Sequence, residues 1–263
     1  MKLNRSSATR VSCTSAVLAL ALFGLPSVAK SDRIVAASAP VELAQPVDVL
    51  LPAEPVVTAE SGSVSSFAAS AWQDADLGNI DHKVFGIALE AAASAVKRGD
   101  AVNPGTLTVI DFSKPSTEQR MWVFDLSTRK LLFEEVVSHG RGSGRTMATA
   151  FSNEPESNKS SLGLYRTGET YIGKHGFSLR LDGLEPGVND RARERAIVMH
   201  GADYVDPRAA QAQGYLGRSL GCPALRPAVT RQLIDAVKDG GLLFAYYPDP
   251  QWLQSSRYIS VAP

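Results

Sequence analysis

The apolar positions first fall at helical spacing between residues 81 and 99. There DHKVFGIALEAAASAVKRG places Val84, Ile87, Ala88, Ala91 and Ala95 on one helical face, and Lys97-Arg98-Gly99 makes a stop. From Thr106 the texture becomes that of strands. TLTVIDF (106–112), RMWVFDL (120–126) and KLLFEEVVS (130–138) are β-branched or aromatic runs, the last two joined by a Ser127-Thr128-Arg129 turn. Further short strands are predicted around 163–166, 177–181, 196–200 and 242–247, with loops heavy in Gly, Ser and Asn between them, above all over 140–163. A second helix is predicted over 227–238, with Pro227 in its first turn, Val229, Leu233 and Val237 four apart, and Gly240-Gly241 beyond its end. No internal repeat is visible. The pattern predicts a mainly β unit of about 150 residues with two or three helices.

The N-terminal part follows neither period. Lys2, Arg5 and Arg10 precede an apolar run over 11–25 that is too short for a membrane span, and Ser27-Val28-Ala29 supplies small residues for a cleavage site. Residues 1–29 therefore read as a secretory signal peptide; the alternative is an uncleaved N-terminal anchor. No other stretch is apolar enough to span a membrane. Residues 30–75, rich in Ala, Val, Pro and Ser with Pro40, Pro46, Pro52 and Pro55, read as a disordered tether. A helical segment (76–103), the main β domain (104–250) and a C-terminal tail (251–263) complete the expected organisation.

Charge and cysteine content sharpen this. The 263 residues hold 27 Lys+Arg and 27 Asp+Glu, which argues against nucleic acid as a partner. Cys13 and Cys222 are the only cysteines, so a disulfide scaffold and a Cys-rich zinc module are excluded. Loss of residues 1–29 would leave 24 basic against 27 acidic residues and Cys222 as a lone thiol in an oxidising compartment. Reactivity accounts for such a thiol better than packing, with a buried structural cysteine as the alternative.

The informative stretch is 196–226, AIVMHGADYVDPRAAQAQGYLGRSLGCPALR. A strand ends in His200-Gly201, and after a polar loop the chain returns through Gly217-Arg218-Ser219-Leu220-Gly221-Cys222-Pro223. A cysteine nucleophile needs a thiolate, which an imidazole within reach generates by taking the thiol proton. Glycines beside it let the backbone approach a substrate and present amides to an oxyanion.

His200-Gly201 followed by Ser219-x-Gly221-Cys222 resembles the signature of the YkuD-type L,D-transpeptidase catalytic domain, where a His-Gly strand precedes a Ser/Thr-His-Gly-Cys loop. VFDLSTRKLLFEEVVSHGRGSG resembles that family's paired opening strands, and Ser161-Leu162-Gly163-Leu164-Tyr165 stands at its Thr-Pro-x-Gly-x-Phe region. Residues 104–250, with a Gly-Arg-Ser-x-Gly-Cys-Pro box, are similar to the murein L,D-transpeptidase catalytic domain branch. The resemblance implies a β-sandwich or barrel-like fold with a few short helices, no cofactor, and a thioester mechanism on peptidoglycan stem peptides in the periplasm or cell envelope. In it Cys222 is the nucleophile and His200 the base. Gly221, with the Cys222 amide, would stabilise the oxyanion, with Ser219 and Gly201 in support. Arg218 and Arg226 would meet stem carboxylates, and Tyr165 would border the substrate. The acceptor would be a second stem or an envelope protein; water in its place would give a carboxypeptidase, and loss of chemistry a wall-binding module.

Two departures from the pattern stand out: Leu220 replaces a second histidine, and the His200–Cys222 gap is a few residues long. His139, at a strand end, is the candidate to supply the absent imidazole, against a plain hydrogen-bonded histidine. His175 reads as a loop residue. His139, His175, His200 and Cys222 lack the short-spaced pair of a zinc site, so no metal is expected. The segment RARER (191–195), behind Asn189-Asp190 as a cap, reads as a solvated helix face.

Overall fold

The computed structural model describes residues 64–260. The expected signal peptide (1–29), most of the expected tether and the last residues of the tail lie outside them. Helix α1 (His82–Arg98) begins where the Asp81 carboxylate accepts from the Lys83 and Val84 amides and ends at Gly99, held at φ 79°. Its buried face contains Val84, Ala88, Ala91 and Ala95 as expected, with Phe85, Leu89 and Ala92 beside them, while Ile87 lies at the margin. The small side chains let α1 lie close against the sheet, on its central strands.

Strands β1 (Thr106–Asp111), β2 (Met121–Asp125) and β3 (Lys130–Glu135) form an antiparallel meander. Then come β4 (Gly163–Gly173), β5 (Gly176–Gly183), β6 (Val198–Gly201), α2 (Pro207–Gln213), β7 (Ala224–Leu225), α3 (Pro227–Val237), β8 (Leu242–Tyr246) and α4 (Pro250–Ser255). All eight strands belong to one sheet ordered β3-β2-β1-β8-β4-β5-β6-β7, antiparallel except at β1–β8 and β6–β7. Strands β1 and β8 are buried along their whole length, as continuous apolar runs in a two-sided core require.

The sheet curls until its ends meet. Beyond β3, Ser138 donates its amide to Ala224 O of β7 at 2.9 Å, Gly140 bridges Ser219, and Arg226 pairs with Glu135 through two hydrogen bonds. This is the barrel-like, mainly β architecture expected, and it sets residues 138–141 against the loop that bears Cys222.

The domain extends beyond the expected limits at both ends. Trp72, in the expected tether, is buried edge-on against Phe85 and Phe124, 5.1 and 5.7 Å between ring centroids. In the expected tail, Trp252 packs on Phe244, and buried Tyr258 donates to Asp100 at 2.8 Å. Aromatic burial outweighs the Ala/Pro-rich composition nearby. RARER is a series of turns rather than a helix. Asn189 does not cap a helix with its side chain; it accepts from the Glu185 amide and donates to the carbonyls of Leu162 and Leu164.

Candidate active site

Parallel pairing of β6 with β7 sets His200 opposite Ala224, so Cys222 stands level with Val198 on the neighbouring strand. The Val198 amide donates to the Cys222 Sγ at 3.4 Å, and the thiol lies 3.7 Å from the Ala196 carbonyl. Ala196 has φ 52°, in the left-handed region, which breaks the strand before it and explains why β6 starts at Val198 rather than 196. Burial pushes the Cys222 thiol pKa up, against the Val198 amide and the positive charge of Arg195, which pull it down.

His200 is 2% exposed. Its Nδ1 lies 2.9 Å from the Gly201 carbonyl. A carbonyl only accepts, so Nδ1 carries the proton and Nε2 keeps a lone pair, the tautomer a general base needs. Burial lowers the His200 pKa against the Gly201 hydrogen bond, which raises it, with a smaller lowering from the neighbouring His175; the net lowering favours the neutral ring. The partners of the Cys222 thiol among the described residues are backbone groups of Val198 and Ala196, not this imidazole.

The loop before Cys222 is tied from three sides. Ser219 Oγ accepts from the Gly221 amide at 3.1 Å and donates to the Cys222 carbonyl at 2.7 Å. Buried Ser160 donates to the Gly221 carbonyl at 3.0 Å, and the Ser219 amide donates to His139 O at 2.9 Å. Gly221 holds φ 132°, and a Cβ there would stand 2.8 Å from Ile197 Cδ1 and 2.9 Å from the Lys159 carbonyl, so only glycine fits. Gly201 has a packing reason as well: its Cβ would meet Thr230 Oγ1 at 2.7 Å.

Two clefts border the segment that follows β6. One of about 570 Å³ is bordered by Lys174, His175, Gly201, Thr230 and Arg231; another of about 420 Å³ is bordered by Arg141, Tyr215, Gly217 and Arg218. They share Asp203 and Tyr204. Burial, with the nearby Cys222 charge, pushes the Tyr204 pKa up to about 12.

The family model for the L,D-transpeptidase catalytic domain matches residues 77–246, more than half of the chain. The chain belongs to that family. Similar solved structures include an L,D-transpeptidase from Mycobacterium smegmatis, 16% identical over 54% of this chain and 59% of that one, with a TM-score of 0.33. One from Stackebrandtia nassauensis is 15% identical over 71% and 90%, with a TM-score of 0.33. No curated protein matches.

In this L,D-transpeptidase domain, several residues stand where the sequence did not place them. His139 is fully buried: Arg120 Nη2 donates to its Nδ1 at 2.7 Å, and its Nε2 lies 3.4 Å from the Gly144 carbonyl. Both ring nitrogens are engaged, so it does not take the place of an imidazole at Leu220, which is itself 62% exposed. The Gly221 amide, expected at an oxyanion, is turned onto Ser219. Tyr165 is buried and donates to the Ser161 carbonyl, behind the Cys222 loop rather than at its mouth. Arg226 is engaged by Glu135. Arg218 does border a cleft, with Nη1 on the Gly144 carbonyl. Among the described residues no group of three or more His, Cys, Asp or Glu is arranged for a metal ion, and no helix is long and apolar enough to cross a membrane.

The sequence reading missed three groups. Arg195, taken for a solvated residue, is half-buried and donates to Ser152 O and Ser161 Oγ through Nη1 and to Lys159 O and Ser157 Oγ through Nη2. Its charge acts on the thiol, and a Cβ on Gly221 would lie 3.4 Å from its Nη2. Arg120 is fully buried, with Nε and Nη2 on Val137 O and Nη1 on Lys114 O. His175 stacks on His200. Lone charged or aromatic residues give no periodic signal, so only their spatial neighbours reveal them.

Proposed function

We propose that this chain is an exported cysteine L,D-transpeptidase acting on peptidoglycan stem peptides. The observation that supports this most is the Nδ1–H of His200 on the Gly201 carbonyl, which leaves Nε2 basic on the strand beside Cys222. His200 Nε2 takes the Sγ proton as the thiolate attacks the carbonyl carbon of the L-centre residue in a donor tetrapeptide. The oxyanion faces the Cys222 amide. On collapse the C–N bond to the terminal D-alanine breaks, and His200 returns its proton to the leaving amine. The amine of a second stem, or of an envelope protein, then attacks the thioester and gives up a proton to His200. The C–S bond breaks, and the thiolate is released and reprotonated. The backbone carbonyl of Gly201 takes the orienting role a carboxylate has in other triads. Arg141 and Arg218 offer guanidinium groups for stem carboxylates in the smaller cleft. Export rests on residues 1–29, and a periplasmic location on export and substrate class together.

The test is mass spectrometry of a disaccharide-tetrapeptide incubated with the mature chain beside Cys222→Ala. A Cys222-dependent dimer, joined from L-centre carbonyl to side-chain amine, is expected. Tripeptide alone would replace the transferase with a hydrolase, and retained turnover in Cys222→Ala would remove the thioester.

A further inference from the structure

Strands β4 and β5 form a hairpin in which Gly173 pairs with Gly176, leaving Lys174 and His175 as a two-residue turn. Such a turn has little backbone freedom. From it the exposed His175 ring reaches over the buried His200 ring on the adjacent strand, with centroids 4.3 Å apart and planes inclined by 24°. Near-parallel stacking at this distance resists rotation of the lower ring. That rotation is what would break the hydrogen bond between His200 Nδ1 and the Gly201 carbonyl and exchange the basic nitrogen. The upper ring also shields the lower one from water. The other titratable or charged groups around this cleft are Lys174 on the turn, Asp203 and Tyr204 after β6, and Arg231 on α3, whose guanidinium stands 4.1 Å over Phe177.

We propose that His175 is a positioning residue for the base: stacked on His200 from the hairpin turn, it keeps that imidazole in the orientation and tautomer that leave Nε2 basic. This rests on the reading of Cys222 and His200 as nucleophile and base. Any flat, neutral ring at 175 should serve, because the role is the stack and not a proton.

Ring ¹⁵N NMR of the mature chain tests this without turnover, and stem-peptide kinetics test its consequence. In His175→Ala, the His200 titration midpoint should rise toward the ordinary value of about 6.5, and the Nδ1–H signature should weaken. The kcat near neutral pH should fall roughly 10- to 100-fold with KM little changed, as expected when a catalytic group loses its alignment. His175→Phe should retain the wild-type tautomer and most of kcat. An unchanged His200 tautomer and midpoint in His175→Ala would overturn the proposal. So would a His175→Phe variant as impaired as His175→Ala, since His175 would then act through its own proton or charge. If Cys222→Ala kept turnover, the catalytic reading would fail, and the NMR result would still decide whether His175 orients His200.

Discussion

Arg120 donates to Nδ1 of His139 across 2.7 Å, and both side chains are fully buried. Burial, opposed by Asp111, pushes the Arg120 pKa down to about 9; burial and then the Arg120 charge push that of His139 down to about 3. The pair supports the backbone against the Cys222 loop, since the His139 carbonyl receives the Ser219 amide. A lowered histidine pKa means that the unfolded chain binds a proton the folded chain refuses. Stability therefore falls as pH drops through the ordinary histidine value of about 6.5, and keeps falling toward the folded value. His139 should account for a loss of about 2 kcal/mol between pH 7 and pH 5. His200, lowered as well, adds to it with the same sign. Urea unfolding at the two pH values should show this difference in the wild type and a smaller one in His139→Gln. An equal difference in the variant would refute the assignment.

Arg195 offsets the burial of the Cys222 thiol. In Arg195→Gln, alkylation of Cys222 by iodoacetamide near pH 7 should slow roughly 3- to 10-fold, and the midpoint of the pH–rate curve should move up. Arg195→Lys, which keeps the charge but loses the fork, should hold the midpoint near that of the wild type. If the glutamine variant reacted at the wild-type rate, the arginine would serve only to tie down the 152–161 loop.

Gly221→Ala should cost about 1–3 kcal/mol through its positive φ and its clash with the Lys159 carbonyl and Ile197. The loop, released from Ser219, should lose its hold on Cys222. Thermal unfolding and the Cys222 alkylation rate read the two effects separately. A variant with wild-type melting temperature would show that the loop can shift without cost.

Thr108 Oγ1 is the buried side-chain polar atom left without a hydrogen-bond partner among the described residues. Thr108→Val keeps the shape and removes the unpaired hydroxyl, so it should stabilise the fold by about 1 kcal/mol, or roughly 2–4 °C in Tm. No change or a loss in calorimetry would place a partner on that hydroxyl in solution.

Most strands and both long helices were legible from their apolar patterns: β1, β2 and β3 lie within the runs at 106–112, 120–126 and 130–138, and α3 ends one residue before its expected limit, whereas the two-residue β7 was not expected. Helices α2 and α4 were not, being only seven and six residues long and of mixed polarity, each started by a local Asp–Pro pair. RARER failed for a different reason: its cap residue had a tertiary use, holding Glu185 and the carbonyls of Leu162 and Leu164.

By itself the sequence determined the mainly β class, the spans of α1 and α3, and the two segments proposed to carry the chemistry, His200-Gly201 and Ser219 to Cys222. All of these are written in local periodicity or in contiguous residue types. The tertiary structure decided which groups surround the thiol and the imidazole. Curling the sheet brought β7 against the segment after β3, and the packing around it buried His139 under Arg120, turned Arg195 inward and laid His175 over His200. Those relationships join residues 19 or more positions apart, across different strands and loops. No spacing rule reaches that far, because long-range contacts are set by how the whole sheet closes.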